Sequence, residues 1–262
     1  MTTPLDINII RDRLDSAIGS VDIAVAQSVD STNDWCRRDF TEGVDPPFLR
    51  VAEAQQAGKG RRGRTWVSQQ GGDIIMSLVR RLELPMSRLG CLSVAMGEAV
   101  AGCLRDRGLQ DVSIKWPNDV LVAGSKLCGL LIESLHDAGS GTTIIIGIGM
   151  NIEPVPAGVS PYPVASLSEL MEERPARDLL VADLVLAVER QCRRMEQDPE
   201  GLGIELDRLL DTGEIVDIRY DDGSVITGIM RGMNPGGELK VEVEGGLRLC
   251  NSADISLRRP EA

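Results

Sequence analysis

The chain has 262 residues and a mass of 28.3 kDa, the size of one large domain or of a domain with a small second unit. Its 28 basic and 40 acidic side chains give a net charge of −12, which disfavours a broad nucleic-acid or membrane surface unless positive charge is concentrated locally. Only three Trp, two Tyr and two Phe are present, so an aromatic platform for single-stranded nucleic acid is also disfavoured.

The six cysteines form no CxxC pair, and the single histidine, His136, cannot complete a zinc site of the usual spacing. We therefore expect buried free thiols in a reducing cytoplasm. The N-terminal segment carries charges where a secretion signal needs an apolar core. No apolar run approaches the roughly 20 residues that a membrane helix requires. The sequence predicts a cytoplasmic protein with no membrane partner.

Strand and helix patterns alternate along most of the chain. A helix is expected over 87–107, with Ser87 as its N-cap and Gly108 as its end, and a second helix over 176–197. Strands are predicted at 22–27, 48–54, 73–82, 126–134 and 142–150. This alternation indicates an α/β fold built on a mixed sheet.

The pattern changes at Gly213, after which four short strands are separated by glycine-containing turns and no helical period remains. The predicted strands are 214–220, 224–232, 238–244 and 246–252. Such a run is typical of a small antiparallel barrel of about 50 residues. We expect two domains, 1–212 and 213–262.

The segment Gln55–Trp66 reverses the charge of the chain locally. Four basic residues fall between Lys59 and Arg64, and no acidic residue lies between Glu53 and Asp73. Glycines allow backbone N–H groups to converge, and guanidinium groups bind phosphate oxygens in pairs, so a triphosphate site is predicted. A solvated charge run is the alternative. The dinucleotide fingerprint and the P-loop both fit the glycine spacing, but no helical stripe follows, so both are rejected.

Four further motifs place polar groups at the ends of predicted elements. Lys115–Asp119 is a strand that ends at a proline turn, and Lys126 begins an apolar strand. Gly147–Asn151 ends another strand with two glycines and an amide, and Ser31–Asn33 precede a short helix. The structural alternatives are an exposed turn lysine at 126, a β-bulge at 147–149 and a helix cap at 31–33.

The ordered set of motifs resembles the biotin protein ligases over nearly the whole chain. The motifs are STN (31–33), QQAGKGRRGRTW (55–66), KWPNDV (115–120), KLCGLLIE (126–133), GIGMNI (147–152) and ISLRR (255–259). The resemblance implies a catalytic domain related to the class II aminoacyl-tRNA synthetases, followed by a small SH3-like β-barrel. One departure is Lys59, where the family most often has arginine.

The resemblance also implies roles for individual residues. Lys126 would hold the biotin carboxylate, and Lys126, Arg61 and Arg64 would carry the catalysis. The implied biotin-binding residues are Ser31, Thr32, Asn33, Gln55, Lys59, Gly60, Arg61 and Lys126. The implied ATP-binding residues are Arg62, Arg64, Trp66, Lys115, Asn118, Asp119, Asn151 and Arg258, with Asp119 near Mg²⁺. His136 and the cysteines have no role in this interpretation.

The implied activity uses ATP and Mg²⁺ to convert biotin into biotinyl-5′-adenylate and then transfers biotin to one lysine. The expected partner is the biotin carboxyl carrier domain of an acyl-CoA carboxylase or of pyruvate carboxylase. Only 30 residues precede Ser31, so we expect a monofunctional enzyme without a DNA-binding domain. The alternatives are a lipoate- or octanoate-protein ligase, a non-catalytic biotin sensor and a nucleic-acid module.

Overall fold

A computed structural model describes residues 3–135, 141–156, 158–160, 162–210, 212–220, 222–252 and 255–258. Its larger sheet has seven strands in the order β1-β2-β3-β7-β6-β5-β4. The strands are β1 (Asp22–Ala26), β2 (Phe48–Ala52), β3 (Ile74–Leu82), β4 (Val112–Lys115), β5 (Asp119–Val122), β6 (Ser125–Leu135) and β7 (Thr142–Met150). The β1–β2 pair is parallel and the other pairs are antiparallel. The predicted α/β class with a mixed sheet is confirmed.

Side chains alternate between the two faces of this sheet, as strand geometry requires. On one face the central strands pack against α1 (Ile7–Ile18), α3 (Leu92–Arg105) and α5 (Arg177–Gln197) in the main core. On the other face α2 (Thr32–Thr41) forms a smaller buried cluster with Phe48, Val79, Leu135 and Ile145. Since α2 covers only part of this second face, the remainder is left for a cleft.

The helix expected over 87–107 begins later than the sequence predicts. Residues Met86–Arg88 form a 3₁₀ turn after Pro85, and α3 starts at Leu92. A Cβ at Gly90 would overlap the carbonyl oxygen of Gly236. Because the chain from a distant turn occupies this space, the register of α3 is set by a tertiary contact. Sequence periodicity also missed α1, α4 (Leu167–Leu170) and α6 (Pro199–Asp207).

A separate antiparallel sheet follows α6 with five strands where the pattern alone predicts four. They run in the order β11-β10-β9-β8-β12. The strands are β8 (Ile215–Tyr220), β9 (Val225–Met233), β10 (Leu239–Val243), β11 (Gly246–Cys250) and β12 (Ile255–Arg258). The extra strand pairs with β8; it is short, and an apolar–polar alternation over four residues is a weak signal.

The turn between β9 and β10 attaches the second sheet to the first. Its Gly237 carbonyl accepts a hydrogen bond of 3.1 Å from Nε1 of the buried Trp116. A Cβ at Gly203 on α6 would overlap the carbonyl of Pro235 in the same turn. Lys240 and the backbone N–H of Met233 both bind Asp207. The division at residue 213 remains a prediction.

All six cysteines are free and buried, as predicted. Burial raises the pKa of the Cys91 thiol to about 11 and that of Cys192 to about 12, so these groups are poor nucleophiles at neutral pH. Across the residues that the structure describes, no helix combines the length and apolarity needed to cross a bilayer.

Candidate active site

The cleft lies on the α2 face of the larger sheet and consists of two adjoining cavities. The inner cavity has a volume of about 140 Å³ and the outer one about 610 Å³. Six residues line both: Arg64, Thr65, Trp66, Lys115, Asp119 and Lys126. The inner and outer cavities therefore adjoin at these side chains.

The first turn of α2 forms one wall of the inner cavity. Ser31, at the N-cap position, is 2% exposed, and its hydroxyl makes no capping bond within the described part of the chain. The side-chain carbonyl of Gln55 accepts from the backbone N–H of Thr32 at 2.8 Å. Gln55 is placed there by a parallel bridge to Val29. The STN segment is thus both a helix start and a cavity wall.

The side chain of Asn33 lies against the sheet above a glycine. Ser77, Gly147 and Leu131 are aligned across β3, β7 and β6, and their side chains point to the same face. A Cβ at Gly147 would overlap the side-chain oxygen of Asn33. Gly147 is therefore needed to make room for a side chain of the protein itself. The sequence alone had left open whether this glycine marks a ligand contact or a β-bulge.

Trp66 lies over the neighbouring pair of aligned residues on the same face of the sheet. Gly149 pairs with Gly129 between β7 and β6, and the indole of Trp66 covers both glycines. A Cβ at Gly149 would come within 2.5 Å of the indole, and one at Gly129 within 3.0 Å. Nζ of Lys126 lies 5.3 Å from the ring centroid, within reach of a cation–π interaction. The indole therefore stands between the inner and outer cavities.

The basic segment folds as a small hairpin. The backbone N–H of Gly60 donates to Arg64 at 2.7 Å, and that of Trp66 donates to Gly58 at 2.9 Å. Between them Arg61–Gly63 form a 3₁₀ turn in which Arg62 has a φ of 57°, a region that non-glycine residues rarely adopt. Residues 64–73, all of which the structure describes, contain no helix. This confirms the rejection of the P-loop and the dinucleotide fingerprint.

Two side chains attach this hairpin to its surroundings. Lys59 pairs with Asp34 of α2 at 2.6 Å. Arg61 donates to the side-chain oxygen of Asn118 at 3.4 Å and to the backbone carbonyl of Ser252, just after β11. Burial lowers the pKa of Arg61, and Arg64 and Arg62 lower it further. Arg61 therefore links the hairpin to both the KWPND turn and the second sheet.

The KWPND turn carries three of the predicted site residues. Asp119 pairs with Nζ of Lys126 at 2.7 Å, and Asn118 donates to the carbonyl of Leu130 at 2.8 Å. Nζ of Lys115 lies 5.8 Å from the ring of Tyr162, which lines the outer cavity. Lys115 and Lys126 thus reach the junction of the cavities from two different strands.

Asn151 and Arg258 differ from the other predicted residues. The Asn151 amide donates to the carbonyl of Ala165 at 3.1 Å and more weakly to that of Lys126. It therefore ties β6, which contains Lys126, to the segment around Ala165. It also lines the outer cavity. Arg258 ends β12, and its side chain is outside the described structure, as is His136.

The charge of the cleft is opposite to that of the whole chain. In the described part of the chain the two linings hold six basic residues and one acidic residue, Asp119. The basic residues are Lys59, Arg61, Arg62, Arg64, Lys115 and Lys126. No group of three or more His, Cys, Asp or Glu within the described ranges could hold a metal ion. The cleft is suited to anions that converge on Lys126.

Sequence reasoning missed the residues that hold the inner wall from behind. Ser77 and Glu133 lie on the cleft face of β3 and β6 and bind Asn33, and Tyr162 faces Lys115. Alternation on β3 and β6 places Ser77 and Glu133 opposite the main core, which was a usable signal. Their contact with Asn33 depends on strand order, which no local pattern contains.

The fold and the cleft together define a binding site for an anionic ligand, with a small polar pocket lined by six cations and joined to a larger cavity. The sequence profile of the biotin/lipoate A/B protein ligase family matches residues 25–151. The bifunctional ligase/repressor BirA of Salmonella typhimurium is 34% identical over 256 residues, which cover 95% of this chain and 78% of that protein. The biotin--[acetyl-CoA-carboxylase] ligase of Mycobacterium tuberculosis is 30% identical over 259 residues, or 96% and 95% of the two chains.

A solved structure agrees with these relatives. The biotin protein ligase from Aquifex aeolicus, in complex with biotin and ATP, matches with a TM-score of 0.76 at 25% identity, over 91% of this chain and 99% of that one. The chain belongs to the biotin/lipoate A/B protein ligase family, among its biotin protein ligases. The family resemblance deduced from the motifs is confirmed.

Proposed function

We propose that this protein activates biotin with ATP as biotinyl-5′-adenylate and transfers the biotinyl group to a lysine of a carrier domain. One observation carries the proposal: a small pocket, with hydrogen-bonding groups on one wall and six cations around it, adjoins a larger cavity at Trp66 and Lys126. A carboxylic acid held in the first and a triphosphate held in the second would meet at that junction. Positive charge placed where two anions meet lowers the barrier to their reaction.

The predicted binding residues line both cavities, and two of those assigned to ATP, Arg62 and Asn118, line only the inner one. Ser31, Thr32, Asn33 and Gln55 would hold the ureido head of biotin in the inner cavity. Lys126 would bind its carboxylate, and Lys59, Gly60 and Arg61 would close over it. Arg62, Arg64, Lys115, Asn118, Asp119 and Asn151 would bind ATP, and Trp66 would separate the two ligands. Arg258 is assigned to the nucleotide on the family motif alone.

The chemistry requires charge stabilisation and exclusion of water. A biotin carboxylate oxygen attacks the α-phosphorus, the bond to the bridging oxygen breaks, and pyrophosphate leaves. The neutral ε-amine of the carrier lysine then attacks the acyl carbon, AMP leaves, and the amine loses a proton. Lys126, Arg61 and Arg64 would stabilise the charge that develops in the first step, and the hairpin would shield the adenylate from water.

The residues present fit a Mg²⁺ ion that arrives with ATP. Asp119 supplies one carboxylate at the junction of the cavities, and Mg²⁺ is commonly bound by one or two carboxylates together with substrate phosphates. When bound, the ion would neutralise phosphate charge. Asp119 would hold it while remaining close to Lys126.

A relative of this chain suggests the partner. The Mycobacterium tuberculosis relative is named for acetyl-CoA carboxylase, so we infer a carrier domain of that enzyme as the substrate, with pyruvate carboxylase as a second candidate. We also propose domains 1–212 and 213–262; the net charge of −12 argues against DNA binding, and the six free thiols support a reducing cytoplasm.

Biotin-dependent exchange between ATP and labelled pyrophosphate tests the proposal. Purified protein with biotin, ATP and Mg²⁺ should incorporate label, because the first step is reversible. Lipoate and octanoate, the substrates of the alternative ligases, should compete weakly. Absence of exchange with biotin, or stronger exchange with lipoate, would overturn the assignment.

A further inference from the structure

A buried hydroxyl lies beneath the wall of the inner cavity. Ser77 of β3 has no exposed surface, and its Oγ is 2.7 Å from Oγ1 of Thr32 and 2.6 Å from Oδ1 of Asn33. Ser77 therefore touches two side chains of the cavity wall from the side opposite the ligand space.

The orientation of Asn33 is fixed from the other end of its carboxamide. Its Nδ2 donates to Oε2 of Glu133 at 2.7 Å and, at 3.3 Å, to the carbonyl of Leu131. The other oxygen of Glu133 accepts from Arg37 of α2 at 2.9 Å. Both partners of Nδ2 are acceptors, so the amide nitrogen must face them. Oδ1 of Asn33 is consequently the atom turned toward Ser77.

This orientation determines where the hydroxyl protons point. Oδ1 of Asn33 carries no hydrogen, so the single proton of Ser77 is donated to it. The 2.7 Å contact between Ser77 and Thr32 then needs a proton from Thr32, since two lone pairs at that distance would repel. The competing contact of Oγ1 of Thr32 with Gln55 is longer, at 3.2 Å. Thr32 therefore donates inward and turns lone pairs toward the cavity.

We propose that Ser77, with Glu133 and Arg37 behind Asn33, forms a positioning network that makes Thr32 an acceptor for ligand N–H groups. The inference rests on the proposed function and deepens it. A cyclic urea offers N–H donors to this wall, whereas a dithiolane or a plain alkyl chain offers none and leaves the buried oxygen unsatisfied. Leaving a buried polar group unpaired is a strong source of discrimination. The network selects the head group without touching it.

The variant Ser77→Ala tests the network. Thr32 would lose its inward acceptor and its proton would be free to point into the cavity against the ligand N–H, so the KM for biotin in pyrophosphate exchange should rise about tenfold, the effect of one hydrogen bond. The kcat at saturating biotin and the KM for ATP should change less than about twofold, because Lys126 and the outer cavity are unaltered. Ser113→Ala, on edge strand β4 of the same sheet, is the matched control and should leave all three values unchanged.

Direct binding of three acids separates this role from a general structural one. Calorimetry should show that Ser77→Ala weakens biotin and desthiobiotin, both cyclic ureas, by the same factor, while octanoate binds as to the wild type. Equal weakening of all three acids, or no change for the ureas, would overturn the inference. The proposed function fails separately, if the wild type itself gives no biotin-dependent exchange.

Glu133→Gln gives the same test from the partly exposed end of the network. Glutamine can donate or accept, so it no longer dictates which end of the Asn33 amide faces Ser77. The affinity for the urea ligands should again fall, by about threefold to tenfold, and the affinity for ATP should not change. If Ser77→Ala does not fold by circular dichroism, this variant decides: an unchanged ratio of biotin to octanoate affinity contradicts the network.

Discussion

The two halves of the cleft are built on opposite principles. In the inner half, Ser31, Thr32 and Asn33 are only 2–3% exposed, and neutral hydrogen bonds join this wall to the sheet and to Gln55. In the outer half, by which we mean the basic hairpin together with Lys115 and Lys126, the cations are more accessible: the side chain of Lys59 is 50% exposed and that of Lys126 is 30% exposed. The hydrogen bonds of the inner half are in place before a ligand binds, and the outer half supplies positive charge.

This difference matches what each half has to do. Buried neutral groups distinguish ligands by which atoms donate and which accept, since every mismatch leaves a group unpaired. Accessible cations attract any polyanion and discriminate little, but they stabilise charge during reaction. Substitutions in the inner half should therefore change which acid binds, and substitutions in the outer half should change how fast it reacts.

The largest effect is expected at Lys126, where the halves meet. Lys126→Ala removes the ammonium at the junction and should lower the rate of pyrophosphate exchange by about 100- to 1000-fold, as for other groups that stabilise a developing charge. Lys240→Ala, a lysine of the second sheet bound to Asp207, is the control and should retain most activity. A loss below about threefold at Lys126 would contradict the charge-stabilising role.

The next effect is expected at Arg61, which joins the hairpin to Asn118 and to the Ser252 carbonyl. Arg61→Gly should still form adenylate but release it, because hydrogen bonds from a charged donor contribute about 1.5–3 kcal/mol, or tenfold and more in retention. Mass spectrometry should then find biotin on lysines of a bystander protein such as albumin. Arg88→Gly, in the other 3₁₀ turn, serves as the control; strict carrier specificity at Arg61→Gly would argue against closure by the hairpin.

A smaller effect is expected at Trp116, which joins the KWPND turn to the second sheet. Trp116→Phe keeps an aromatic ring but removes the indole N–H and so leaves the buried Gly237 carbonyl unpaired, which should cost about 1–3 kcal/mol in the free energy of unfolding. The KM for ATP should rise, because the KWPND turn loses its support, while the KM for biotin stays constant. Denaturant unfolding and exchange kinetics measure both, with Trp35→Phe as the control. A change in the KM for biotin alone would contradict the division of roles between the two halves.

The smallest effect is expected at Asp30, which directly precedes the first residue of the inner wall. Arg38 lowers the pKa of Asp30 to about 2 through a hydrogen bond, and the N–H of Ser31 adds to the shift. A carboxyl group with a lowered pKa stabilises the fold above its unfolded pKa of 3.8, and this stabilisation is lost as the pH falls through about 2. Because the pair is exposed, Asp30→Asn should lower the unfolding free energy by less than about 1 kcal/mol at pH 7.

The Asp30→Asn experiment compares unfolding of the two proteins at pH 7 and near pH 2. The difference should shrink below pH 4 and be smaller near pH 2 than at pH 7, and biotin KM between pH 5 and 8 should keep the shape of the wild-type profile. A difference that grows on acidification would mean that the sign of the linkage is wrong.

Local chemistry predicted much of the fold. The strand at Thr142–Met150 ends where its pattern indicates, and the helix at Arg177–Gln197 begins one residue from its expected start, because both have strong periodicity. Helix α3 was misplaced because a turn of the second sheet occupies the space beside Gly90. Helix α1 was missed, since it buries only Ile10 and Leu14 and its apolar signal is weak.

The sequence by itself determined the charge of the cleft, since four cations within six positions form a basic segment in any fold that exposes it. It also determined the order of motifs that marks the family. Only the tertiary structure decided that Gly147 lies under Asn33 and that Gly149 and Gly129 lie under Trp66. These positions are far apart along the chain, and strand register alone makes them neighbours, which is also why Ser77 and Glu133 could not be assigned from their surroundings in the sequence.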